Sequence, residues 1–337
     1  MAEAGQDLKA DVLFHQFKGM FRVVRARMGA LRPGTAAYDR QMVMEVKHYR
    51  KVFGKNIDAK LMEPAPSAWD QVLARTSERI RAKTGRDNDE HMLALLNDRP
   101  GVRMLSLGCG AGGVELYYAR ESPHAEIVGL DVNPEIIALG NKQASAEGLN
   151  VRFGTADLNT GALPRDGGFD LIFCHASLHH LIELEHVCEE MRSALRPGGR
   201  VVAIDVMARN GYLLWPETKR TANEMFKTLP ARFRLNHTGY RDARLDASIW
   251  APDTRAEGME CMRSADIVPL LRRYFREETF VGSHAFVRRF FDTMYGPNYD
   301  LEQPLDRALF EWIWQLDCHY LDTGTLQPET FFGIYAG

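Results

Sequence analysis

The sequence predicts an α/β protein built on a doubly wound, mostly parallel sheet, and three observations carry that prediction. Short apolar runs alternate with amphipathic segments from residue 101 to about residue 206. A glycine-rich turn at 108–113 closes the first apolar run and opens the first helix of the series. The sequence Arg196-Pro197-Gly198-Gly199 stops the last helix before another apolar run begins. Strands buried on both faces read as continuous apolar runs, and strand–helix–strand succession forces right-handed crossovers between parallel neighbours.

In chain order, 102–107, 125–130, 151–153, 169–174 and 200–206 read as buried strands. Between them, 114–122, 133–147 and 183–195 read as helices. Asn133 followed by Pro134, with Glu135 in the first turn, is an N-cap signal. Before this core the pattern is helical: Leu13, Phe17, Met20 and Val24 recur at helical spacing, as do Met42, Val46, Tyr49 and Phe53. Pro33-Gly34 and the Pro64-Ala-Pro66 stretch punctuate that region. After Ala208 an aromatic-rich helical insertion runs to about Glu260. A helix then carries Ile267, Leu270, Leu271 and Tyr274 on one face, followed by a strand near 278–281. A second insertion holds an amphipathic helix with Leu305, Leu309, Trp312, Ile313, Leu316 and Tyr320 on one stripe, and 330–335 reads as a final strand. The expected division is an N-terminal helical cap (1–100), a nucleotide-binding core (101–208), a helical lid (209–260) and the remainder of the core sheet (261–337).

Composition narrows the functional classes. The 337 residues are 45% hydrophobic and 26% charged, with a formal net charge of -3. That balance gives no electrostatic reason to expect a nucleic acid or an anionic membrane as partner. The arginines at 232, 234, 241 and 244 are interleaved with Asp242 and Asp246, which suits a solvated mixed surface. No apolar run approaches the ~20 residues of a membrane span, and the start of the chain resembles neither a signal peptide nor a lipidation site. Five scattered cysteines (109, 174, 188, 261 and 318) with no CxxC pair suit a reduced, cytoplasmic protein without a structural zinc site.

The glycine turn, Leu107-Gly108-Cys109-Gly110-Ala111-Gly112-Gly113, fits two templates. Glycines 108, 110 and 113 fit the dinucleotide pattern GxGxxG, and 108, 110 and 112 fit GxGxG. Either lets a nucleotide-bearing ligand approach bare backbone while helix N–H groups face it. Asp131, at the end of the next strand, can accept both ribose hydroxyls in either ligand class, so it does not choose between them. Thr155-Ala156-Asp157-Leu158, the run Phe169 to His175, the loop Leu178-His179-His180-Leu181 and the Arg196–Arg200 turn then follow in order.

In these blocks the chain resembles the class I, Rossmann-like methyltransferases that use S-adenosylmethionine (SAM). The resemblance spans about 104–206, and it implies seven strands with the last one, at 330–335, inserted antiparallel. It implies SAM as cofactor, with Gly108, Cys109, Gly110 and Gly112 under its methionine and ribose parts and Asp131 on the ribose hydroxyls. Val132 would pack on the adenine, Asp157 would take its amine with the Leu158 backbone nearby, and Cys174 and His175 would lie beside the sulfonium. One position departs: the family commonly has an acidic residue two before the first glycine, and Ser106 stands here, so contacts to the cofactor's ammonium must come from elsewhere.

His175, His179 and His180 follow the fourth strand, on the loop that in this fold points toward the transferred methyl. His175 and His179 are the expected catalytic residues, as neutral imidazoles able to take a proton from an acceptor. His180 reads better as a packed, hydrogen-bonded residue. The three match no recognised metal-ligand spacing, so no metal is expected. Acceptor selection is expected in the N-terminal helices and in 210–250, where Tyr49, Trp69, Tyr212, Trp215, Phe226, Phe233 and Trp250 either line a pocket or pack the helical cap. No Asn/Asp-Pro-Pro-Tyr/Phe tetrapeptide follows the fourth strand, which argues against a nucleobase or glutamine amide as acceptor. The expectation is transfer of methyl to O or N of a small molecule of the secondary-metabolite kind. Modification of a peptide or RNA, and SAM binding without transfer, are the alternatives, and a homo-oligomer is compatible with the sequence.

Overall fold

Alternation of side chains along each strand decides how this sheet is covered. In β1 (Arg103–Leu107), Met104 faces one core while Leu105 and Leu107 face the other. The computed structural model describes residues 31–53, 67–238, 243–256 and 259–337. The expected helix through Leu13 and Val24, the Pro64–Pro66 break, the side chains of Tyr49 and Phe53, and Arg241 with Asp242 lie outside the described residues.

Three helices, α1 (Ala36–Phe53), α2 (Ser67–Thr84) and α3 (Asn88–Leu96), precede β1. The core then runs α4 (Gly113–Glu121), β2 (Glu126–Asp131), α5 (Pro134–Glu147), β3 (Val151–Thr155), β4 (Phe169–His175), α6 (Leu184–Ala194) and β5 (Leu195–Val206). Asn133 caps α5 as expected, its side chain accepting the N–H groups of Glu135 and Ile136. The insertion contains α7 (Pro216–Thr228) and a two-residue ladder of β6 (Leu235–Asn236) with β7 (Arg244–Leu245). Helix α8 (Ile267–Tyr274) leads into β8 (Arg276–Ser283), and α9 (Arg288–Phe291) and α10 (Pro304–Asp322) lead into β9 (Thr330–Ala336).

The seven-stranded sheet has the order β3-β2-β1-β4-β5-β9-β8, with β9 antiparallel to both neighbours. Strands β1 to β5 pair in parallel, and the order reverses between β1 and β4, which opens a crevice at their carboxyl ends. Arg196 to Gly199 form an irregularity within β5, where pairing with β4 jumps from Leu195 to Arg200. One face of the sheet is buried under α6 and α8, the other under α3, α4 and α5.

A third core lies in the appended segments, where Phe226, Phe233, Phe286, Phe290, Phe291, Tyr295 and Phe310 are fully buried together. The aromatics Phe226 and Phe233 therefore pack the helical region rather than lining a pocket. Helix α10 also corrects the predicted stripe: Leu305 and Trp312 are 60% and 50% exposed, while Asp306, Phe310, Ile313, Trp314 and Asp317 are buried. The reason is polar. Asp317 accepts the backbone N–H groups of Ala285, Phe286 and Val287 at 3.1, 2.6 and 2.8 Å, so this face of α10 must turn inward. Burial pushes its carboxyl up to about 6, against the pull of those three N–H groups.

Candidate functional site: a roofed cavity at the β1–β4 crevice

Glycines 108, 110 and 112 all take positive φ (69°, 55° and 80°), whereas Gly113 begins α4. The turn thus follows the GxGxG spacing. At Gly112 a Cβ would meet the Phe153 ring at 2.2 Å, so packing forbids a side chain. At Gly110 a Cβ would meet nothing within 4 Å, because that position faces a cavity of about 480 Å³. The floor of this cavity is the turn itself, with Asp131, Val132, Asn133, Asp157, Leu158, His175 and Ser177 around it. Asp131 is held from both sides, accepting Gly110 N–H and Asn133 N–H, each at 2.9 Å. Burial raises the Asp131 carboxyl above its usual range, partly offset by these donors.

The missing acid at Ser106 is replaced from the helix. Glu115, in the first turn of α4, reaches back so that Ser106 Oγ donates to its Oε1 at 2.6 Å. Its Oε2 is buried with no hydrogen-bond partner among the described residues, and Glu115 lies on the cavity wall. Desolvation pushes the carboxyl up to about 7 although the Ser106 hydroxyl opposes it. A buried carboxylate oxygen with no donor is the complement of an ammonium group. Together with the side-chain-free approach at Gly110 and the carboxylates at Asp131 and Asp157, this donor set fits an amino-acid-bearing nucleoside such as SAM.

Helix α1 forms the roof through Met42, Glu45 and Val46, joined by Met259. Tyr38 donates its hydroxyl to Asp157, 2.9 and 2.8 Å from the two carboxylate oxygens, and packs with Ile182, Met259 and Met262. Burial and the neighbouring Asp157 raise the Tyr38 phenol well above its ordinary value.

Beyond the cofactor-sized space the histidines separate. His175, at the tip of β4, lines the cavity as an exposed residue, and desolvation by the protein packed around its ring lowers its pKa. The next residue, Ala176, takes φ 50°, an uncommon conformation for a non-glycine residue at the edge of a site. His180 also lines the cavity, with Nδ1 2.9 Å from Glu45 Oε1 and Nε2 3.5 Å from Glu260 Oε2. Burial alone would lower its pKa; the hydrogen bond to Glu45 and the charge of Glu260 reverse that, and the net direction is up. His179 stands one ring behind, its centroid 4.2 Å from that of His180. Its Nδ1 is 2.6 Å from Oδ1 of Asp205, whose other oxygen accepts the N–H groups of Ser177 and Leu178. Burial opposes ionisation of Asp205, but His179 and the backbone donors outweigh it and hold the carboxyl low.

The structure thus brings Gly108, Cys109, Gly110, Asp131, Val132, Asp157, Leu158 and His175 onto one wall. Gly112 sits behind it against Phe153. Cys174 is fully buried, with its thiol against Met191 in the core, so its side chain is off the wall. His179 and His180 exchange their expected places. None of Trp69, Tyr212, Trp215, Phe226, Phe233 or Trp250 lines the cavity. Sequence reasoning passed over Tyr38, Glu45, Glu115, Asp205 and Glu260. Only Asp205, a lone polar residue in the apolar run 201–206, carried a local signal.

A methyltransferase-domain family profile matches residues 104–199, the stretch that supplies the turn and both carboxylates. Over 207 residues the chain is 30% identical to the trans-aconitate 2-methyltransferase of Deinococcus radiodurans, covering 61% of this chain and 73% of that one. This chain belongs to the class I SAM-dependent methyltransferases. The methyltransferase is also 35% identical over 103 residues to the demethylmenaquinone methyltransferase of Thermus thermophilus, covering 31% of its own length and 46% of the relative's. Among solved structures it is similar to a SAM-bound phosphoethanolamine N-methyltransferase 2 from Haemonchus contortus, with a TM-score of 0.45 at 15% identity over 86% of this chain and 56% of that one. Among the described residues of the methyltransferase, no helix is long and apolar enough to cross a membrane.

Proposed function

We propose that the enzyme methylates an oxygen or nitrogen of a small molecule, by in-line displacement inside the roofed cavity. The observation that carries this reading is the size and lining of the cavity: about 480 Å³ between the strand tips and α1, with two imidazoles on its wall. A space of that size, overhung by Met42, Val46 and Met259, suits a small acceptor beside the cofactor and not a duplex or a folded peptide. The relatives named above are, by their names, enzymes of trans-aconitate and demethylmenaquinone, both small molecules.

Bound SAM would supply a positively charged sulfur carrying the methyl group to be transferred, with the sulfur as leaving group. The residues of this chain hold and orient it. Gly108, Cys109 and Gly110 give the backbone on which its methionine and ribose rest, and Gly112 sets the turn behind them. Asp131 receives the ribose hydroxyls, Val132 packs on the adenine, and Asp157 with the Leu158 backbone meets the adenine edge. Glu115 takes the ammonium through its unpartnered oxygen. His175, facing the cavity, accepts a proton from an acceptor hydroxyl or amine. His179, fixed by Asp205, orients His180 against the same space. The roof excludes water and holds acceptor and methyl at near-attack distance, the main source of rate in such a displacement.

The test is transfer of tritiated methyl from SAM to a metabolite extract, compared with protein and RNA fractions. Label is expected in the small-molecule fraction. Label confined to protein or RNA would overturn the reading, and so would tight binding of S-adenosylhomocysteine (SAH) with no transfer to any fraction.

A further inference from the structure

Behind the wall that carries His180, three donors of different chemistry converge. His179 Nε2, a Glu260 carboxylate oxygen and Cys261 Sγ all lie within 4.8 Å of one another. Glu260 Oε1 is 3.6 Å from His179 Nε2 and 3.3 Å from Cys261 Sγ. Zinc bonds of about 2.0–2.1 Å to nitrogen, 2.0–2.2 Å to oxygen and 2.3 Å to sulfur place tetrahedral ligands roughly 3.3–3.6 Å apart. Two of the three donor pairs are therefore near the spacing such an ion imposes, and the third lies within 4.8 Å.

The surroundings have the form of a metal shell. His179 Nδ1 is 2.6 Å from the buried Asp205 carboxylate, which fixes the tautomer and leaves the Nε2 lone pair pointing at Glu260. His179 is 6% exposed and Cys261 is fully buried. Cys261 has φ 53°, a left-handed conformation away from the usual run of L-residues. Three carboxylates, Asp205, Glu45 and Glu260, surround the two imidazoles, an excess of negative charge that a divalent cation balances. A thiolate among the donors selects a zinc-class transition ion over magnesium or calcium.

We propose that His179, Glu260 and Cys261 form a three-ligand site for a divalent transition metal of the zinc class, with its fourth position left for water or an acceptor heteroatom. Histidine spacing alone could not point to such a site, because the proposed ligands come from two segments about eighty residues apart, which no local motif records. The site abuts the cavity through His180 and Met259, both on its wall. Coordination there would hold an acceptor oxygen or nitrogen and favour its deprotonated form. Only that last role rests on the proposed function; ion binding stands apart from it.

The test is titration of the full-length, chelator-treated protein with Co²⁺, followed by absorption. One saturating equivalent is expected, with a near-ultraviolet thiolate charge-transfer band that Zn²⁺ displaces. The band should vanish in Cys261→Ser, and Glu260→Gln should weaken Co²⁺ binding at least about tenfold, while both variants keep wild-type SAH affinity as evidence of an intact fold. No saturable binding in the wild type, or an unchanged band in Cys261→Ser, overturns the site. If Co²⁺ binds and methyl transfer is unchanged by chelation, the role of the fourth position falls. If Co²⁺ binds and no small molecule is methylated, the proposed function fails while the metal site stands.

Discussion

The two walls of the cavity are made in different ways. The strand-tip wall comes from one continuous stretch, where sheet register sets each position: Asp131 ends β2, Asp157 follows β3 and His175 ends β4. The roof comes from α1 and Met259, far apart in sequence and joined by packing of Tyr38, Ile182, Met259 and Met262 and by the Met259 N–H donating to Glu45 Oε2 at 3.1 Å. A wall set by register cannot move a residue without moving a strand. A roof set by side-chain packing can change what it presents while the sheet stays as it is, which suits the side that meets the acceptor.

The largest test of this contrast lies outside both walls. Asp317→Ala leaves three buried N–H groups without an acceptor at ~1 kcal/mol or more each, so unfolding free energy should fall by about 3 kcal/mol. Denaturant melts measure this, and SAH affinity of the folded protein should stay within about twofold if the aromatic core is scaffold alone. On the strand-tip wall, Asp131→Ala removes the carboxylate assigned to two hydroxyls. Calorimetry should show SAH affinity reduced more than about a hundredfold, or ~3 kcal/mol; unchanged affinity would remove Asp131 from the cofactor site.

Glu115→Gln should weaken SAH about tenfold at pH 8 and leave 5′-methylthioadenosine, which lacks the amino-acid tail, unaffected. The sign with pH follows from the direction of the shift. The folded carboxyl titrates near 7, above its ordinary 4.5, so the folded state holds a proton that the unfolded state has lost between those values. Ligand-free stability therefore falls as pH rises through that window, while affinity for the ammonium-bearing ligand rises as Glu115 ionises. Both dependences should vanish in the variant. The smallest effect belongs to the roof. Tyr38→Phe deletes the bond between α1 and Asp157, worth ~1 kcal/mol, and stopped-flow release of SAH should quicken about fivefold.

What could be read from the sequence follows the same division. The order of runs from 102 to 206 gave the parallel sheet and the carboxylates, because buried parallel strands and their crossovers leave local patterns. Glu115 escaped notice because a glutamate in a first helical turn already has an ordinary reason to be there, the helix dipole. Glu45 and Glu260 escaped because their meaning exists only across the fold. The stripe on α10 failed for a related cause: an aspartate among apolar residues scores as solvent-facing, and Asp317 is buried to anchor three amides of a distant turn.

The placement of the thiols near the β4 tip has a further consequence. An enzyme that stores an alkylating agent must not alkylate itself, and the reactive form of cysteine is the thiolate. Cys174 is turned into the core against Met191, and Cys109, which does reach the cavity, has its thiol pushed far up by burial and by the charges of Glu115 and Asp131. Burial first, and then the same carboxylates that fit the cofactor, disfavour the thiolate at Cys109, the form an alkylating cofactor would attack.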